Sequence, residues 1–207
     1  MHRHASDIAF TSAVKGIQTE KGSRKAYARA EKDGWWETTV TTELSGFISN
    51  LDMFYLGTAS ADGQPYIQYR GGRPGFLKTI DERTLGFADF AGNRQYVSIG
   101  NLSENPRASI FLMDYVNSRR IKVWGKARVV EDDRELLDRL RDEDYPGRPE
   151  RAILFTVEAW DVNCQQHIHK RLLQSDVASV VDELRGQIRD LQERLVARES
   201  GMTSSHT

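Results

Sequence analysis

The chain has one cysteine, Cys164, in 207 residues, so no internal disulfide can staple it and its stability must come from a packed core. Long apolar runs are also missing. No stretch approaches the roughly 20 apolar residues of a membrane helix, and the start Met1-His2-Arg3-His4 carries no apolar leader segment. An excess of one charge is absent too: 29 Lys and Arg stand against 30 Asp and Glu, which is not the basic surplus of a nucleic-acid binder. Arg119, after the turn formers Asn117-Ser118, reads as a solvated charge. The spacing of four metal ligands is lacking as well, because Cys164, His167 and His169 offer one thiol and two imidazoles at i and i+2. No third group orients a cysteine and histidine for nucleophilic attack, so Cys164 reads as a buried structural thiol. These absences predict a cytoplasmic protein without a membrane or nucleic-acid partner, without a bound metal and without a recognisable catalytic residue.

What is present is a series of short strands separated by turn formers. Leu51 to Ser60 ends at Ala61-Asp62-Gly63, a hairpin signal because glycine accepts positive φ. Gln64 to Arg70 alternates, with Tyr66, Gln68 and Arg70 on one face and Ile67 and Tyr69 on the other. Strands follow at Thr84 to Phe90, Ala108 to Asp114, Arg120 to Val130 and Arg151 to Glu158, and Ile121, Val123 and Gly125 share one face. Helices are expected at Arg94 to Ser103, stopped by Asn105-Pro106, and at Glu131 to Arg141, where Leu136, Leu137 and Leu140 can pack on a sheet.

Within this series, Arg73-Pro74-Gly75-Phe76-Leu77-Lys78 precedes Ala91-Gly92-Asn93-Arg94 by about one hairpin. Cations and an Asn on neighbouring strand ends suit the phosphate of a nucleotide cofactor, because several donors converge on one compact dianion. Arg73 and Lys78 are five residues apart and would lie on opposite faces of a regular strand, so a shared role requires a bend at Pro74-Gly75. A helix starting near Arg94 would add free backbone N–H groups.

The order of these pieces resembles the pyridoxamine 5′-phosphate oxidase-like family. The match runs through Arg73 with Phe76-Leu77-Lys78, then Asn93-Arg94, then Asn105-Pro106-Arg107-Ala108-Ser109-Ile110-Phe111. It covers roughly Leu44 to Val130, and more loosely Trp160 to Arg171. The resemblance implies a mainly β fold with peripheral helices: an FMN-binding split β-barrel of antiparallel Greek-key type, commonly a homodimer with the flavin at or near the subunit interface. It further implies that Arg73, Leu77, Lys78, Asn93 and Arg94 bind the FMN phosphate side. Gln68 would reach the ring edge or ribityl chain, and Trp160, Asn163, Gln166 and His167 would lie beside the ring. Where the better-known oxidase carries Ser-Arg-Lys, this chain has Asn93-Arg94-Gln95, and its His167, His169 and Arg171 do not form the Arg-X-His arrangement that holds a second phosphate. The implied function is an FMN-dependent oxidoreductase or flavin reductase with NADH or NADPH as a possible electron donor. The alternatives are a flavin-binding or redox-sensing module without turnover, or a barrel binding haem or a deazaflavin.

Flanking segments complete the organisation. Residues 1–43 read as a helical arm, with a helix from Asp7 to Lys21 capped by Ser6, and Gly34-Trp35-Trp36 at its end. A small helix runs from Leu44 to Asn50 with Thr42 as its cap, at the start of the barrel domain 44–172. In the helix at 173–199, Val177, Val181, Leu184, Ile188, Leu191 and Leu195 recur at spacings of 4, 3, 4, 3 and 4, the seam of a coiled coil across a dimer or the face of a helix folded back on its own barrel. Residues 200–207 are expected to be disordered.

Overall fold

The structure, a computed structural model, describes residues 4–203. Seven strands form one antiparallel sheet: β1 Met53–Ala59, β2 Pro65–Gly71, β3 Lys78–Thr79, β4 Thr84–Phe90, β5 Arg107–Asp114, β6 Arg119–Val130 and β7 Pro149–Val162. Their order is β2-β1-β5-β6-β7-β4-β3, so the β3–β4 hairpin crosses over to pair with β7 while β5 returns beside β1. This is the mainly β split barrel with flanking helices that the sequence predicts, and β2 and β3 are its edges. The β1–β2 turn is set by Gly63 at φ +93°, where its N–H donates to the Ser60 carbonyl at 3.0 Å.

Alternation in the strands fills the barrel. Leu56, Leu85, Leu112, Ile121, Val123, Ile153 and Phe155 are all sealed from solvent, each contributing about 1.5–3 kcal/mol relative to exposure. Phe54 stacks on Phe76 and meets Phe87 edge-on at 5.1 Å. The alternation of β7 is interrupted by bulges on both of its edges, against β4 and against β6. A bulge where Trp124 and Gly125 of β6 face β7 inserts an extra residue, so that both Val157 and Trp160 point into the core. A Cβ on Gly125 would lie 2.0 Å from the Thr156 carbonyl oxygen, so only glycine fits this crossing.

Helices flank the sheet. The arm contains a 3-10 turn at Ala5–Ile8, α1 at Ser12–Glu20 and α2 at Arg24–Lys32. The single helix expected from Asp7 is thus split, and Thr11 rather than Ser6 caps α1, its hydroxyl accepting from Val14 N–H at 3.3 Å. Ser6 is instead buried, and its hydroxyl donates to Glu31 at 3.3 Å. In α3, Thr42–Ile48, the cap is Thr41 rather than Thr42. α4 spans Val97–Glu104, and α5, Arg134–Leu140, packs Leu136 and Leu140 against Leu154 on the outer face of the sheet.

The chain divides into two compact units, the second being Tyr115–Asn117 with Ile168 onward. Within that second unit, Arg171 N–H donates to the Tyr115 carbonyl at 3.3 Å and its guanidinium lies 4.6 Å from the Tyr115 ring centre. Helix α6, Gln174–Thr203, carries the apolar seam, and Leu184, Ile188 and Leu191 on it are 51%, 54% and 54% exposed. The tail expected from Ser200 is helical through Thr203, and residues 204–207 lie outside the described residues.

Candidate functional site

The site is built where β2, the end of β4 and the start of α4 meet. Tyr66, Gln68 and Arg70 alternate on β2 and face inward, while Ile67 and Tyr69 point out and are 69% and 59% exposed. The polar face of this edge strand is therefore the inner one. After β4 the loop 91–96 turns twice through the left-handed region, at Arg94 with φ 59° and at Tyr96 with φ 52°. Neither residue is glycine, and each such conformation costs about 1–2 kcal/mol. Asn93 shapes the turn by accepting Gln95 N–H on its side-chain oxygen at 3.1 Å, which leaves the Asn93 NH2 free to donate. Helix α4 starts at Val97, three residues later than its sequence suggests, because these two left-handed residues cannot continue into an α-helix.

The result is a cavity of about 230 Å³ lined by Gln68, Arg70, Asn93, Arg94, Ser98 and neighbours. Its wall is a charge network. Asp89, 7% exposed, is paired with Arg70, and Arg151 approaches it at 3.9 Å while reaching Glu150 at 3.0 Å. Glu131 lies 3.7 Å from Arg151 and Arg148 3.2 Å from Glu150, so three arginines meet three carboxylates, and the Arg151 guanidinium also lies 5.2 Å from the centre of the Tyr96 ring. Breaking such a buried pair by removing one partner costs about 3–5 kcal/mol, so this network is a rigid wall. The Nε of Arg70 and of Arg151 is buried without a hydrogen-bond partner among the described residues. Arg94, by contrast, is exposed and makes no ion pair or hydrogen bond among the described residues. Buried Ser98 donates from Oγ to Gln68 Oε1 at 2.7 Å, so the Gln68 amide has its NH2 to offer to the cavity. The arrangement can hold an anion on Arg94, Asn93 and the first N–H groups of α4, with a neutral donor from Gln68 beyond it.

Of the residues expected on the phosphate and ribityl side of a cofactor, the structure brings Gln68, Asn93 and Arg94 together and leaves Arg73, Leu77 and Lys78 elsewhere. The Pro74-Gly75 turn does bend the chain, with Gly75 at φ +80° and Phe76 N–H donating to the Arg73 carbonyl at 3.0 Å. Yet it aims both cations at the acidic segment after α5. Arg73 pairs with Asp144 at 3.4 Å and Lys78 with Asp142 at 3.0 Å. Leu77, 3% exposed, is core. Trp160 is core too, 4% exposed, with its indole N–H donated to the Thr39 carbonyl at 2.7 Å. The β7 bulge turned it inward. Asn163 donates its N–H to the Arg120 carbonyl at 3.1 Å just past β7; Gln166 and His167 are exposed in the following loop, His167 at φ 64°. Neither Asn163, Gln166 nor His167 lines the cavity. Cys164 is exposed rather than buried. Arg70, Asp89, Ser98 and Arg151 were not anticipated, although Arg70 shares its strand face with Gln68.

A model of the pyridoxamine 5′-phosphate oxidase family matches residues 40–164, more than half of the chain, and the protein belongs to that family. Among solved structures, a HupZ variant from Group A Streptococcus superposes with TM-score 0.50 at 18% identity, covering 60% of this chain and 99% of its own. An FMN-binding protein from Syntrophomonas wolfei covers 70% of this chain and 97% of its own at 17% identity and TM-score 0.46. A protein from Clostridium acetobutylicum related to general stress protein 26 covers 58% and 85% at 16% identity and TM-score 0.45. At these identities the likeness is one of fold. No curated protein sequence matches the chain.

Proposed function

We propose that the protein is an FMN-binding flavoprotein that passes electrons through the bound flavin as an oxidoreductase or flavin reductase. The observation that carries this reading is Arg94: an uncompensated cation on a doubly left-handed loop, beside the start of α4 and facing the polar edge of β2. Backbone held in unfavourable regions at a cleft points to a functional constraint, and the donor set suits a terminal phosphate. The residues present fit the cofactor. Arg94 and the Asn93 NH2 would hold the phosphate, the Gln68 NH2 would reach the ribityl chain or ring edge, and the Arg70–Asp89–Arg151 wall would keep the pocket polar without adding net charge. Flavin, when bound, supplies the electron chemistry, and the protein sets its position and potential.

A cavity of about 230 Å³ falls below the roughly 300–1,000 Å³ of sites for whole small ligands, so the ring requires a further wall. Ile67 and Tyr69 on the outer face of β2, both more than half exposed, and the exposed seam of α6 support a second copy of the chain as its source. The functional unit is then a cytoplasmic homodimer, with a reduced nicotinamide as candidate donor. The test is equilibrium dialysis with FMN, followed by stopped-flow mixing with NADH or NADPH. We expect a yellow dimer with one FMN per subunit. No binding up to about 100 μM, equivalent to about 5.5 kcal/mol, would defeat the assignment. Bound flavin that no nicotinamide reduces would reassign the protein to a binding or sensing module.

A further inference from the structure

We propose a second ligand site, beneath the N-terminal arm, that takes an aromatic phosphate of nucleoside-monophosphate size. The site is a cavity of about 780 Å³ between the arm residues His4, Ala5 and Ile8 and the outer face of β5, β6 and β7. Its volume lies in the range of sites for whole small ligands, and no residue is shared with the flavin cavity.

Two features define the ligand. The first is charge. Arg83, Arg107 and Lys126 line the cavity against one carboxylate, Glu158, which lies 3.4 Å from Lys126. Arg83 and Arg107 have no side-chain partner among the described residues. Arg107 and Lys126 are also direct cross-strand neighbours in the β5–β6 register, and like charges so placed destabilise a sheet. An anion between them would turn that repulsion into attraction, and two uncompensated guanidinium groups match a phosphate dianion. The second feature is Trp124. It lines the cavity and stacks on Trp36 of the arm at 4.7 Å and 16°, so its ring is held and can present aromatic surface to a planar group.

The arm that closes the cavity is anchored. Glu37 and Trp160 exchange backbone hydrogen bonds at 3.3 and 2.9 Å, and Val40 N–H donates to the Glu82 carbonyl at 2.7 Å. Farther out, Lys15 joins Asp7 and Glu31 at 2.5 and 3.6 Å. The cavity wall is therefore a built part of the fold.

The test uses the full chain and isothermal titration with AMP and with naphthyl phosphate. AMP and naphthyl phosphate are expected to bind, adenosine and inorganic phosphate at least about tenfold more weakly, since each lacks one half of the match. Arg83→Gln and Arg107→Gln change exposed side chains and should each weaken AMP by about tenfold or more, leaving FMN affinity unchanged. Arg94→Gln should leave AMP unchanged. Absence of saturable binding by both probes at about 1 mM, or full AMP affinity in the Arg83→Gln, Arg107→Gln double variant, would overturn the proposal. So would loss of AMP in Arg94→Gln alone, which would send the nucleotide to the flavin cavity.

Discussion

Arg73 and Lys78 on one side, and Arg94 on the other, carry the same charge and lie near each other in the chain, yet the fold uses them in opposite ways. Arg73 and Lys78 are compensated by Asp144 and Asp142 at 3.4 and 3.0 Å. Arg94 is held without a partner among the described residues, on backbone that costs energy to maintain. The first pair ties the β3 edge to the segment after α5; Arg94 is left with its charge uncompensated among the described residues, as the proposed phosphate site requires. A cation predicts an anion site only when its own countercharge is missing.

The widest gap between the two sets should appear on cofactor binding. Arg94→Ala is expected to cost about 1.5–3 kcal/mol in FMN affinity, the worth of one charge-assisted contact, while riboflavin, which lacks the phosphate, is held as before. Arg73→Ala should move neither ligand. Fluorescence titration of both flavins reads this directly, and equal weakening of FMN and riboflavin by Arg94→Ala would mean that Arg94 supports the loop and not the phosphate.

Next in size is the support beneath the cavity. Ser98→Ala removes the hydroxyl that holds Gln68 at 2.7 Å and should lower stability by about 1 kcal/mol, as expected for a buried hydrogen bond. Its effect on FMN and riboflavin should be equal, because Gln68 faces the part they share. Urea unfolding beside the two titrations measures both, and a loss confined to FMN would place Gln68 near the phosphate instead.

Much of this was visible in the residues, and what was not has physical causes. The alternation of Ile121, Val123 and Gly125, the inward set Tyr66, Gln68 and Arg70, and the Asp62-Gly63 turn are local patterns, and local patterns survive folding. The partners of Arg73 and Lys78 lie 71 and 64 residues away in sequence, so nothing near either cation announces its neutralisation. Trp160 lies in β7, whose period changes by one residue at the bulge opposite Gly125, which inverts the inward set without a mark in its own sequence. Helix α4 starts late because Arg94 and Tyr96 are left-handed, a conformation that side-chain type does not encode.

On the compensated side a smaller effect is expected. The Lys78–Asp142 pair is partly buried, with side chains 31% and 25% exposed, whereas Arg73–Asp144 is open at 51% and 81%. A double-mutant cycle on Lys78 and Asp142 should therefore return a coupling of about 0.5–1 kcal/mol, and one on Arg73 and Asp144 a value near zero. Raising the salt concentration should erase the second before the first. Identical couplings would mean that both pairs are equally hydrated in solution.

The smallest effect concerns a third pair, Lys122 and Asp161, 3.4 Å apart on adjacent strands. Lys122 lies 5.8 Å from the Trp36 ring centre and 5.1 Å from that of Trp124. Here the countercharge is present and the carboxylate, with its side chain 8% exposed, is largely shielded from water. Burial holds the Asp161 carboxyl above its ordinary 3.8, and Lys122 offsets only part of that rise. A carboxyl whose folded value is raised binds more protons in the folded than in the unfolded protein between the two values. Stability from this group therefore falls as pH climbs from the ordinary value through the raised one, and is level above it. Asp161→Asn keeps the shape without the titration, so between about pH 4 and 7 its stability should fall less, or rise more, with pH than that of the parent. Urea midpoints across that range give the two slopes, and parallel curves would show that the carboxylate reaches water past Trp36, placing Lys122–Asp161 with the solvated pair at Arg73.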